Sequence, residues 1–113
     1  MKILHNPRCS KSRQALTALQ EKGAEIEIVE YLKNPPSAAA LKKILKLMGK
    51  KPEEIIRKNE ALFKEKYKGK TFKDDEWIKI LAENPVLIER PIVYTEKKAV
   101  LGRPPELVLG MLK

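Results

Sequence analysis

The first 31 residues switch between two hydrophobic periods, and that switch limits the fold more than any other feature of the chain. Residues 1–5 carry the apolar pair Ile3-Leu4 of a short strand. Residues 9–22 take up a helical period with Leu16 and Leu19 turned toward the core, and Gly23 stops them. Glu25-Ile26-Glu27-Ile28-Val29-Glu30-Tyr31 then alternates and turns apolar, the pattern of a second strand. Strand, helix and strand at this spacing form a βαβ unit, which predicts parallel pairing through a right-handed crossover.

Downstream, Asn34-Pro35-Pro36-Ser37 closes the second strand and caps a helix carrying Leu41, Ile44, Leu45 and Met48, ended by Gly49. Pro52-Glu53-Glu54 opens a short helix with Ile55 and Ile56, and Arg57 at its end. Leu62, Phe63 and Tyr67 mark another helical piece that stops near Gly69. Residues 71–75 offer several N-caps for the helix of Trp77, Ile78 and Leu81, which finishes at Asn84-Pro85. Ile92-Val93-Tyr94 and Ala99-Val100-Leu101 read as a hairpin, although Thr95-Glu96-Lys97-Lys98 lacks a dedicated turn pair. Gly102-Arg103-Pro104-Pro105 starts a last helix with Leu107, Val108, Met111 and Leu112, either proline fitting its first turn. The order is βαβ, helices, then ββα. The expectation is one α/β domain over 1–113: a small mixed four-stranded sheet of thioredoxin-like arrangement, with a helical insertion at about 36–84.

A chain of 113 residues suits a single domain, and about 65% of its unfolded surface can be buried. No apolar run approaches the roughly 20 residues of a membrane span, and the N-terminus lacks a signal-peptide core. The single cysteine, Cys9, excludes an internal disulfide, and a cytoplasmic location is expected. Lys and Arg (24) outnumber Asp and Glu (15), giving +9, which favours anionic partners. Much of that charge is Lys spread along helical stretches, and the six aromatics do not interleave with Arg, so nucleic acid is not an expected partner.

The chemistry gathers at His5-Asn6-Pro7-Arg8-Cys9-Ser10-Lys11-Ser12-Arg13. A thiol where a strand turns into a helix meets the helix's free N–H groups and positive end. With Arg8, Lys11 and Arg13 alongside, it acquires the lowered pKa of a nucleophile. A single cysteine also means that any covalent intermediate must be resolved by a thiol from another molecule. Ser12 either hydrogen-bonds the thiolate or satisfies the helix's first turn, and His5 is either a base or a hydrogen-bonded structural residue. One Cys and one His cannot supply a metal site, and none is expected. Arg57, Arg90 and Arg103 stand where the topology could bring them near Cys9, and guanidinium forks suit a tetrahedral oxyanion. Pro91, after Arg90 and before an apolar strand, is either an edge-strand proline or a cis proline.

These residues resemble a known family nearly end to end. The motifs are His5-Asn6-Pro7-x-Cys9-x-x-Ser12-Arg13, Tyr31-Leu32-x-Asn34-Pro35-Pro36-Ser37, Ile56-Arg57-Lys58-Asn59, Asn84-Pro85-x-Leu87-Ile88-x-Arg90-Pro91-Ile92-Val93 and Gly102-Arg103-Pro104. In this order they resemble the glutaredoxin-coupled arsenate reductases, the ArsC-type proteins of thioredoxin-like fold. The resemblance implies that Cys9 forms an adduct with arsenate, that Arg57, Arg90 and Arg103 bind the oxyanion, and that Pro91 is the cis proline facing the cysteine. It further implies that glutathione and glutaredoxin resolve the adduct, that no cofactor is held, and that the protein works as a monomer. His5, Ser12 and Arg13 would support the site. The same family contains Spx-type transcription regulators that bind RNA polymerase, which is the competing reading. Many of those carry a second cysteine where this chain has Ser12.

Overall fold

The computed structural model describes residues 1–112. The chain divides into two compact units, one of Met1–Asn34 with the segment from Arg90 onward, the other of Pro35–Glu89.

The first unit holds strand β1 (Lys2–His5), helix α1 (Ser10–Glu21), strands β2 (Glu27–Glu30), β3 (Ile92–Tyr94) and β4 (Ala99–Leu101), and a 3₁₀ helix at Pro105–Leu112. The sheet order is β2-β1-β3-β4. β1 pairs in parallel with β2, as the βαβ pattern requires, while β1–β3 and β3–β4 are antiparallel. Ile3 lies beside Ile28 and Val93, and Val93 beside Val100, so these four form one row across the sheet. On this face Ile3 and Val93 pack with Ala15 and Leu19 of α1 and with Val108 and Met111, all buried; Leu16 is only partly so.

Two elements differ from the sequence expectation for identifiable reasons. The second strand is four residues rather than seven, because β2 is an edge whose sole partner, β1, offers four: Lys2 to His5 stand opposite Glu27 to Glu30. Ile28 is correspondingly 46% exposed. The last helix is 3₁₀ and not α. At three residues per turn, Pro105, Val108 and Met111 share one face, and these are the residues it buries. Leu107 and Leu112 are exposed.

The second unit contains α2 (Ala38–Met48), α3 (Ala61–Lys66) and α4 (Asp74–Glu83), with 3₁₀ turns at Pro52–Ile55 and Pro85–Leu87. Ser37 Oγ accepts from Ala40 N–H at 3.1 Å, and Gly49 ends α2 at φ 67°, both as the sequence indicates. Leu41, Ile44 and Leu45 bury one face of α2, which packs on α4. The N-cap of α4 falls within residues 71–75, at Lys73, whose N–H donates to Glu76 Oε1 at 2.9 Å. Phe63, Tyr67, Phe72 and Trp77 form an aromatic cluster, with Phe72 edge-on to Trp77 at 4.8 Å between centroids. A bridge between Ile56 and Ile88, flanked by Arg57 N–H to Leu87 O (2.7 Å) and Glu89 N–H to Ile55 O (2.8 Å), ties the unit's middle to its end.

Gly102 follows β4 and lies against Pro91, donating its N–H to Pro91 O at 2.8 Å. A Cβ there would stand 2.8 Å from Pro91 Cγ and 2.9 Å from Val108 Cγ1. Gly102→Ala is therefore expected to destabilise the protein by about 1–3 kcal/mol through overpacking. Urea denaturation followed by circular dichroism measures this, and an unchanged midpoint would contradict the packing.

Candidate active site

Cys9 is the N-cap residue of α1, with φ −93° and ψ 121°, and its sulfur stands at the end of the helix where N–H groups have no intrahelical partner. Burial pushes the thiol pKa up, and four contributions outweigh it. These are the Ser12 N–H, the charge of Arg90, a hydrogen bond from the Arg90 guanidinium and the Lys11 N–H. The net result is a thiol held below its ordinary value, in the direction a nucleophile needs. Arg90 Nε and Nη1 are buried and have no hydrogen-bond partner among the described residues. Two such donors on a cation are costly to leave unmatched. They belong to the guanidinium whose charge lowers the Cys9 pKa.

The residues around the cysteine are fixed from β1. His5 is 6% exposed and its Nδ1 lies 2.6 Å from Ser12 Oγ, a fully buried hydroxyl. Asn6 N–H donates to the same oxygen at 3.1 Å. The Ser12 hydroxyl is bonded to His5 and Asn6 and joins strand to helix, while its backbone N–H contributes to lowering the Cys9 pKa. His5 is a hydrogen-bonded structural residue. Desolvation lowers its pKa, opposed by Glu30 and reinforced by Arg13, which favours the neutral imidazole. Arg13 points back along the turn, its Nη1 donating to Pro7 O at 2.8 Å.

From the far end of the chain, the Arg90–Pro91 peptide is cis. Arg103 Nε donates to Arg90 O at 2.9 Å, so the two arginines are joined through a main-chain carbonyl. The Arg103–Pro104 peptide is also cis, a second such bond of which the residue pattern carries no sign. Cys9, Arg90 and Pro91 belong to the first unit, with Arg103 tied to Arg90. Arg57 belongs to the second unit, where its guanidinium pairs with Glu60.

Two contributors escaped the sequence reading. Asn6 accepts the Arg8 N–H on its side chain at 3.0 Å, an Asx turn that the Asn-Pro-Arg order could have signalled. Lys11 acts through its main chain, which no residue type announces. Among the described residues no group of three or more His, Cys, Asp or Glu could hold a metal ion, and no helix is long and apolar enough to cross a membrane.

Comparison with known proteins follows the same lines. Residues 4–111 match the ArsC family. An arsenate reductase of Neisseria meningitidis (serogroup A) is 40% identical over 114 residues, spanning 99% of this chain and 97% of that protein. The uncharacterized protein YfgD of Escherichia coli K12 is 46% identical over 114 residues, with 99% and 96% covered. The solved arsenate reductase of Vibrio cholerae superposes with a TM-score of 0.89 at 39% identity, covering 97% of each chain.

Two measurements test this geometry. Arg90→Ala removes a charge and a hydrogen bond from the sulfur, so the Cys9 pKa, read from thiolate absorbance against pH, is expected to rise. An unshifted titration would show that Arg90 does not face the thiol. For His5 the folded-state pKa lies below the unfolded value of about 6.5, so the unfolded chain binds more protons between the two. Its contribution to stability is complete above about 6.5 and is lost as pH falls from there toward the folded-state value. The urea midpoint should fall over that interval, and should fall less in His5→Asn.

Proposed function

The chain belongs to the ArsC family, and we propose that it is a thiol-dependent reductase that converts arsenate to arsenite through Cys9, drawing electrons from glutathione and glutaredoxin. The observation that carries this reading is a depressed thiol at a helix N-terminus facing a guanidinium with two buried donors lacking a protein partner.

The steps balance without a metal or bound cofactor. The Cys9 thiolate attacks arsenic, an S–As bond forms, and one arsenate oxygen leaves as water after protonation. A glutathione thiolate then attacks the Cys9 sulfur. The S–As pair stays with arsenic, As(V) becomes As(III), arsenite departs, and a Cys9–glutathione disulfide remains. A glutaredoxin thiolate attacks the glutathione sulfur and releases the Cys9 thiolate. The absence of any second cysteine makes the external thiols obligatory.

Arg90 and Arg103 hold the oxyanion and the charge that develops on it, and family likeness makes Arg57 the third guanidinium, with Glu60 as its resting partner. Acting as a monomer in the cytoplasm accords with the need for glutathione. The regulator reading rests on the shared fold alone, and the Ser12 hydroxyl that replaces a switch thiol is committed to His5 and Asn6.

The test is NADPH consumption by the purified protein with arsenate, glutathione, glutaredoxin and glutathione reductase. Turnover is expected in the wild type and none in Cys9→Ser. Arg90→Ala and Arg103→Ala should each lose roughly 10²–10³ in kcat/KM, the usual effect of removing one donor from a preorganised oxyanion site. The Lys variants should fall between, keeping charge but losing the fork. Absence of arsenate-dependent turnover, or near wild-type rates in both Ala variants, would overturn the assignment.

A further inference from the structure

The turn that presents Cys9 is gripped at its central peptide from both ends. Cys9 N–H donates to Asn6 O at 3.0 Å, which makes Asn6–Cys9 a hydrogen-bonded four-residue turn with Pro7 and Arg8 in the middle. Proline at the second position is compatible with either common turn type, and these differ by a half-rotation of the peptide between the two central residues. The rotated form requires positive φ at Arg8, and among the described residues no residue other than glycine has one. The Arg8 N–H, one end of that peptide, donates to Asn6 Oδ1 at 3.0 Å. The Pro7 carbonyl, its other end, accepts from Arg13 Nη1 at 2.8 Å. Arg13 also donates its own N–H to Cys9 O at 3.0 Å, so one residue holds the first turn of α1 by its main chain and the preceding loop by its side chain.

We propose that Asn6 and Arg13 are positioning residues that lock the Pro7–Arg8 peptide in one orientation and thereby hold Cys9 in place at the N-terminus of α1. Rotation of that peptide, whose nitrogen is three bonds from the Cys9 nitrogen, changes Pro7 ψ and Arg8 φ and so the path of the chain entering Cys9. The sulfur is stabilised by donors that work only over hydrogen-bond distances, so a small redirection lowers both its acidity and its alignment with a substrate. The Arg13 bond is charge-assisted and stronger than a neutral one, which suits it to hold an exposed loop. This inference rests on Cys9 as the nucleophile and is independent of arsenate being the substrate.

Asn6→Ala, Arg13→Met, the double variant and Arg13→Lys test it, each read by the Cys9 thiol pKa, by the rate of alkylation with iodoacetamide and by kcat and KM separately. Asn6→Ala and Arg13→Met should both raise the thiol pKa and lower kcat by roughly ten- to a hundredfold, with KM for arsenate little changed. Because Asn6→Ala alters no charge, an equal shift there separates positioning from the mere loss of a cation. The double variant should be little worse than the worse single one, since both release the same peptide. Arg13→Lys, which keeps charge and a donor, should recover most of the loss. Wild-type thiol pKa, alkylation rate and kcat in both single variants would overturn the proposal, as would losses that simply multiply in the double. Should arsenate not be turned over at all, the thiol pKa and alkylation rates decide the matter alone.

Discussion

A single buried hydroxyl sets the geometry on which the candidate site depends. Ser12 Oγ lies 2.6 Å from His5 Nδ1 and accepts the Asn6 N–H, which joins the end of β1, the turn and the first turn of α1 at one atom. A hydroxyl with no exposure must be matched, since a buried polar group without a partner costs about 1–3 kcal/mol. The neutral imidazole matches it without bringing a second charge into the interior. With Ser12 anchored there, α1 begins where its N–H groups meet Cys9. The hydroxyl that a Cys-x-x-Ser reading would place on the cysteine is bonded to His5 and Asn6 instead.

The acidity of Cys9 rests on a contest between burial and donors. Burial alone would raise the Cys9 pKa, and most free cysteines that are buried are inert for that reason. Here the donors prevail because they are fixed in place: two N–H groups belong to a helix start, and Arg90 precedes a peptide locked against Gly102. The arginines are not independent of one another. Arg103 donates its Nε to the Arg90 carbonyl at 2.9 Å, which ties the two residues together through the main chain. A substitution at Arg103 therefore also acts on the placement of Arg90.

The second unit has a core of its own, built from the α2 face of Leu41, Ile44 and Leu45 and from the aromatic cluster about Trp77. Its surface ion pair, Lys42 with Asp75 at 3.7 Å, joins side chains 70% and 82% exposed, and contributes little. The unit is held by apolar packing and by the main-chain bonds between the 55–57 and 87–89 segments.

Local chemistry determined much of this protein. The βαβ start, the Ser37 cap, the Gly49 stop, the hairpin of β3 and β4 and the nucleophilic setting of Cys9 all depend on residues near in sequence. Their physics is short-range, and short-range patterns are visible in a chain. Tertiary structure decided the rest. The length of β2 follows from its partner strand, the 3₁₀ winding of Pro105–Leu112 from the face it buries, and the use of the Ser12 hydroxyl from where His5 lies. The joining of Arg103 to Arg90 spans 13 residues and a hairpin, and no pattern in the residues between encodes it. Residue types fix which groups can donate, accept or ionise. Only the folded backbone fixes which of them meet, because the distances over which these interactions act are far shorter than the separations along the chain.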